Sequence, residues 1–88
     1  MVVIFRDSFS KDIDKLKDKN LRRRIEAVIK ELDKADSLIE VRNLKRLKGY
    51  KNHYRIRIGD YRLGIYQDGF TVELAHFLHR KDIYTYFP

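Results

Sequence analysis

Tyr54-Arg55-Ile56-Arg57-Ile58-Gly59-Asp60-Tyr61-Arg62-Leu63-Gly64-Ile65-Tyr66 alternates with period two on both sides of Gly59-Asp60. Alternation marks half-buried strands, and a Gly followed by one further residue is the signal of a two-residue hairpin loop. That turn sets Ile58 opposite Tyr61, Arg57 opposite Arg62, Ile56 opposite Leu63 and Arg55 opposite Gly64. Asp68-Gly69 reads as a second turn leading into Phe70 to Leu78. It predicts Ile65 opposite Val72, Gly64 opposite Glu73 and Leu63 opposite Leu74. The two turns agree on one apolar face, built on Ile56, Ile58, Leu63, Ile65, Val72, Leu74 and Leu78. The other face carries Arg55, Arg57, Arg62, Tyr66, Glu73, Phe77 and His79. A one-residue slip would turn every side chain over, so this consistency specifies the register.

Upstream of the hairpin, Met1 to Arg6 is β-branched and aromatic and reads as a first strand, ending where Asp7 and Ser8 offer helix N-cap oxygens. Phe9, Ile13 and Leu16 lie on one face of a helix running to about Asp18. Leu21, Ile25, Val28, Ile29 and Leu32 continue the 3.6-residue period in a second helix to about Ala35. Residues 36–49 lack a period and read as a loop holding one extended segment. Lys81 to Phe87 reads as a last helical turn. The predicted fold is α+β, one domain over residues 1–88, with a small, antiparallel-rich sheet of four strands. The helical hairpin packs on the apolar face and a short C-terminal helical turn follows.

A domain of 88 residues buries roughly 60–65% of its unfolded surface, which favours a groove or open face over a deep private cavity. The chain has no Cys, which removes disulfides, thiolate nucleophiles and thiolate zinc sites and fits a reducing cytoplasm. No stretch approaches the apolar length of a membrane span, so a soluble, cytoplasmic protein is expected. The net charge is +7, and its distribution is informative. Residues 1–40 hold 10 basic and 9 acidic side chains and residues 59–88 hold 3 and 4. The excess therefore lies in residues 41–58, where Arg42, Lys45, Arg46, Lys48, Lys51, Arg55 and Arg57 occur without an acid. Solvated charge runs usually mix signs, as residues 11–36 do. Arg22, Arg23 and Arg24, near Glu26 and Asp18, belong to that mixed class.

Directly opposed arginines destabilise a sheet by a few tenths to about 1 kcal/mol, so stability alone would not select Arg57 facing Arg62. Arginines beside aromatics suit a phosphate backbone with stackable bases. RNA supplies its own nucleophile, the 2′-OH. A metal-free nuclease then needs held geometry, positive charge on the transition state, and an acid and a base. Arg55, Arg57, Arg62 and Arg80 can supply the charge. Tyr66 or Phe77 can stack a base, and Lys45, Lys48 and Lys51 extend the binding surface. His79 and Tyr84 are candidates for proton transfer. No carboxylate cluster suited to Mg²⁺ is evident, and neither metal nor cofactor is expected.

Leu47-Lys48-Gly49, the 54–63 hairpin and His79-Arg80-Lys81-Asp82-Ile83-Tyr84 together resemble the RelE family of toxins of prokaryotic type II toxin-antitoxin systems, over essentially the whole chain. The resemblance implies a RelE/ParE-type fold and ribosome-dependent cleavage of A-site mRNA. It also implies a RelB-like cognate antitoxin, with operator DNA bound only through the antitoxin complex. In that family the positions of Arg55 and Arg57 are commonly lysine, one of them assigned to proton abstraction, and Arg62 and Arg80 match phosphate-stabilising arginines. Arginine cannot serve as that base, which leaves its identity open. The family's catalytic tyrosine falls on Tyr84 by the Asp-Ile-Tyr motif or on Tyr86 by spacing from Arg80, with Tyr84 favoured. The competing functions are a ParE-like toxin that blocks DNA gyrase without nuclease activity and a non-catalytic RNA-binding module.

Overall fold

In the computed structural model, which describes residues 1–88, the strand that decides the topology is the last one. The elements in chain order are β1 (Val2–Phe5), α1 (Asp7–Asp14), α2 (Lys19–Lys34), a 3₁₀ turn (Leu38–Glu40), β2 (Leu44–Arg46), β3 (His53–Ile58), β4 (Tyr61–Asp68), β5 (Thr71–His79) and α3 (Arg80–Tyr86). The sheet order is β1-β5-β4-β3-β2, with β1 parallel to β5 and every other pair antiparallel. The sheet has five strands, one more than the four expected. The addition is β2, inside the aperiodic 36–49 stretch, where Leu44 pairs with Ile56 and Arg46 with Tyr54. Three residues are too few to show a period, yet they close the outer edge of β3.

The β3–β4 register is the one the sequence specifies, from Arg55 opposite Gly64 to Ile58 opposite Tyr61. The β4–β5 register is not. Its loop is Gly69-Phe70, with Asp68 paired to Thr71. Gly69 has φ 60°, matching the 59° of Gly59, so both hairpins put glycine first in the loop, where the backbone is left-handed. Ile65 therefore faces Leu74, two residues beyond the expected Val72. An irregularity between Gly64 and Ile65 then leaves Ala75 without a partner. This bulge reverses the alternation beyond it. Leu63 faces Phe77, and Phe77 enters the helix-side core at 2% exposure. Leu78 packs with Ile83 and Phe87 on the opposite face. The sequence assignment of these two residues is thus inverted.

The main core lies between α1, α2 and the sheet, with Leu32, Leu63, Ile65, Val72 and Leu74 fully buried. α1 is shorter than expected. Asp18 belongs to the next helix as its N-cap, accepting from the backbone N–H groups of Asn20 and Leu21. The cap position of α1 is Arg6, which makes no side-chain cap bond. Ser8 is turned instead to the sheet, donating to the Ala75 carbonyl at 2.5 Å. Asp12 Oδ2 accepts from the Phe77 N–H at 2.9 Å and lies 2.7 Å from His76 Nδ1. β1 pairs with β5 as far as Leu74. Beyond that point, side chains of α1 satisfy the β5 edge that a strand would otherwise have covered.

The C-terminal segment is a two-turn helix rather than a single turn, and it crosses the sheet face opposite α1 and α2. Ile83 and Phe87 anchor it against Leu47 and Ala75 in a second, smaller core. Gly64 makes room, because a Cβ there would stand 2.6 Å from the Phe87 ring. Gly64→Ala is expected to cost about 1–3 kcal/mol through overpacking. Urea unfolding measures that loss, and faster amide exchange in α3 than in β4 localises it.

Candidate active site

On the face that α3 crosses, strand parity aligns four basic side chains. Lys45 of β2 stands opposite Arg55 of β3, and Arg57 of β3 opposite Arg62 of β4. Together with Asn43, Leu44 and Tyr84 they line an open pocket of about 340 Å³. Tyr84 reaches it from α3, with the Arg55 guanidinium 4.6 Å from its ring centroid. Ile83 is fully buried while Tyr84 is 65% exposed, so the residue that anchors α3 also aims its neighbour at the pocket. Tyr86 points elsewhere, its ring 6.2 Å from that of His76. The geometry thus brings Tyr84, and not Tyr86, to the arginines.

Each arginine is held differently. Arg62 Nη1 donates to the carbonyls of Gly59 and Tyr61, both at 2.9 Å, so the hairpin turn fixes its guanidinium. Arg55 is steadied by the Tyr84 ring, a cation–π contact. Arg57 is exposed. No carboxylate lines the pocket. The one ion pair between an arginine or lysine and a carboxylate is Arg6 with Glu73, so Glu73 neutralises Arg6 and none of the clustered arginines. Asn43 and Leu44 are the lining residues that sequence reasoning missed. Asn43 has φ 62° and its carbonyl accepts from the Arg57 N–H. Asparagine tolerates the left-handed region, and this bend directs β2 onto β3.

Other expected residues lie outside the pocket. His79 caps α3, its Nδ1 accepting from the Lys81 N–H at 3.1 Å, and its ring meets Tyr61 at 5.6 Å. Arg80 is exposed in the first turn of α3, tied there by its backbone N–H to the Asp60 carbonyl at 2.8 Å. Lys48 and Lys51 line a separate shallow cleft with Arg46 and Tyr50. Tyr66 packs on His53 at 5.0 Å and under the Arg6 guanidinium at 5.7 Å. Phe77, buried in the core, presents no face to a base. No group of three His, Asp or Glu side chains stands together so as to hold a metal ion. No helix is long and apolar enough to cross a membrane.

An antiparallel-rich sheet with a helical hairpin on one face and a basic, acid-free pocket on the other is the arrangement of a type II toxin. The comparisons agree. The family model described as ParE toxin of type II toxin-antitoxin system, parDE, matches residues 3–84. The chain is 43% identical over 89 residues to Toxin RelE3 of Methanocaldococcus jannaschii, covering 100% of both chains. It matches the crystal structure of a RelB-RelE antitoxin-toxin complex from Methanococcus jannaschii with a TM-score of 0.82 at 41% identity, over 97% of this chain and 99% of that one. The toxin-antitoxin complex RelBE2 from Mycobacterium tuberculosis matches with a TM-score of 0.60 at 29% identity, over 90% and 96%. The chain belongs to the RelE family of toxins of type II toxin-antitoxin systems.

The opposed Arg57 and Arg62 carry a cost that is independent of activity. Arg57→Thr is expected to raise stability by a few tenths to about 1 kcal/mol, more at low salt than at high salt. Chemical unfolding at two ionic strengths measures both the gain and its screening.

Proposed function

We propose that this toxin is a ribosome-dependent, metal-independent endoribonuclease that cuts mRNA in the A site and so stops translation. The observation that carries the reading is the pocket of Lys45, Arg55, Arg57 and Arg62, without a carboxylate and with Tyr84 on Arg55. Such a site attracts anionic groups and gathers positive charge where a phosphorane-like transition state would develop negative charge. In the proposed reaction the 2′-oxygen attacks the adjacent phosphorus. The 2′-O–P bond forms, the P–O5′ bond breaks, and the products are a 2′,3′-cyclic phosphate and a 5′-hydroxyl.

Two protons must move. Arginine keeps its proton in proteins, so Arg55 and Arg57 bind and stabilise rather than act as bases. Tyr84 is the one lining residue with a hydroxyl proton to give. In this reading Tyr84 protonates the leaving 5′-oxygen, the 2′-OH proton passes to water in the open pocket, and Lys45 stays with the arginines on the phosphate. Arg62, fixed by two carbonyls of the turn, clamps the phosphate. His79, held as a helix cap, positions α3 and with it Tyr84. Arg80, Lys48 and Lys51 contact the longer RNA or the ribosome around the pocket.

A cognate, RelB-like antitoxin is the proposed inhibitor. The similar M. jannaschii chain was solved as a RelB-RelE complex, and acidic side chains would neutralise this pocket. Operator DNA would be bound through that complex. A gyrase-blocking function is the rival reading, suggested by the ParE name of the matching family model. It gives no role to a tyrosine poised over arginines.

On programmed ribosomes the protein is expected to cut A-site mRNA while leaving gyrase supercoiling unchanged. Tyr84→Phe keeps the ring and loses the hydroxyl, so cleavage should fall by about 10²- to 10⁴-fold, whereas Tyr86→Phe should match the wild type. Arg62→Ala should abolish toxicity with folding retained by circular dichroism. Intact transcripts with translation still running would overturn the nuclease reading, and inhibition of supercoiling would replace it.

A further inference from the structure

The run Arg22-Arg23-Arg24 at the start of α2 looks uniform in the sequence, but the fold gives its members different tasks. Arg22 is structural: its Nε donates to the Leu16 carbonyl and its Nη2 to the Ile13 carbonyl, both at 2.8 Å, which staples the α1–α2 connection. Arg23 is exposed and makes no hydrogen bond or ion pair. Arg24 lies across the molecule on the β3–β4 turn. Its guanidinium packs so closely on Gly59 that a Cβ there would stand 2.8 Å from Nη1 and 3.6 Å from Cζ. The same turn holds Arg62 through the Gly59 and Tyr61 carbonyls. It also receives the first N–H of α3 through the Asp60 carbonyl. Arg57 faces Arg62 across the strands leading into it. Arg24, Arg57 and Arg62 surround one turn, and none has a carboxylate within 4.0 Å.

A guanidinium pressed against a glycine that already holds another arginine's anchor is poorly explained by stability. Asp60 stands in the same turn but pairs with none of the three arginines, so like charges repel each other unrelieved, and the contact offers Arg24 no acceptor. The arrangement does suit a polyanion passing over the turn.

We propose that Arg24 extends the RNA-binding surface beyond the pocket, holding a backbone phosphate of the RNA strand as it leaves Arg62 and crosses the Gly59-Asp60 turn. It is a positioning residue, remote from the reacting bonds. The proposal rests on the reading of the pocket as an RNA site. Gly59 is set by its φ of 59°, and the absent Cβ leaves the turn open to the Arg24 guanidinium.

The test compares wild type, Arg24→Gln, Arg24→Lys and Arg23→Gln, each checked for an unchanged thermal midpoint. The first readout is binding of a single-stranded RNA oligonucleotide across a salt series. Loss of one phosphate contact lowers the slope of log K against log salt by about 0.7. Arg24→Gln should show that drop together with a loss of affinity of roughly tenfold, the order expected for one charge-assisted contact. Arg24→Lys should restore most of both, and Arg23→Gln should match the wild type. The second readout is kcat/KM for A-site cleavage on programmed ribosomes. A drop seen with the free oligonucleotide assigns the phosphate to mRNA. A drop confined to ribosomes assigns it to ribosomal RNA. The first result supports the proposal, and the second overturns the placement of Arg24 on the substrate strand. Equal behaviour of Arg24→Gln and wild type in both assays overturns it, as does an equal loss in Arg23→Gln. If the wild type binds RNA with the expected slope change and cuts nothing, the nuclease reading fails while the role of Arg24 stands. If the wild type neither binds the oligonucleotide nor cuts mRNA on programmed ribosomes, both fall.

Discussion

The hydrogen-bonded register between β3 and β4 is the constraint on which the rest of the structure depends. It puts Ile56 against Leu63 on the side the helices cover, and by the same parity puts Arg57 against Arg62 on the other side. Core and site are two faces of one set of ladder bonds, so neither can be shifted without the other. The loop that closes this pair gathers connections from the whole chain. Its carbonyls fix Arg62 and start α3, and Arg24 of α2 rests on its glycine.

This concentration of positive charge is unfavourable for the folded state by itself. Close arginines repel each other, and the pocket contains no acid to relieve them. Glu73 is engaged with Arg6 and Asp12 with the β5 edge, and Asp60 in the turn pairs with no arginine. A fully buried set of Leu32, Leu63, Ile65, Val72 and Leu74 has to outweigh the repulsion. In that sense the pocket is maintained by the core behind it, and a polyanion would relieve a strain the free protein carries.

Much of this was legible in the sequence because it is written in short-range chemistry. Gly59-Asp60 flanked by alternating residues fixes the first hairpin and the arginine face, and the Leu21 to Leu32 spacing fixes α2. What failed has a common cause. Asp68-Gly69 satisfies one turn rule and Gly69-Phe70 another, and the difference of one loop position moves the pairing by two residues. The bulge at Ala75, which inverted Phe77 and Leu78, arises where α1 takes over the β5 edge from β1, a tertiary event with no local signature. β2 is too short to show a period. The Asp-Ile-Tyr motif pointed to Tyr84, but its approach to Arg55 depends on Gly64 leaving room for Phe87, an agreement between residues far apart in the chain.

The second core sets how firmly Tyr84 is held over the pocket. α3 has seven residues, too few to persist as a helix in water without tertiary contacts. It is held chiefly by Ile83 and Phe87 in a cluster of four buried residues, separate from the sixteen that join the helical hairpin to the sheet. Elements with so little burial open locally at a lower free energy than the whole domain. The sheet can therefore keep its arginines in register while Tyr84 swings away with its helix. The placement of Tyr84 and the integrity of the sheet are governed by different cores, and the one carrying the tyrosine is the weaker.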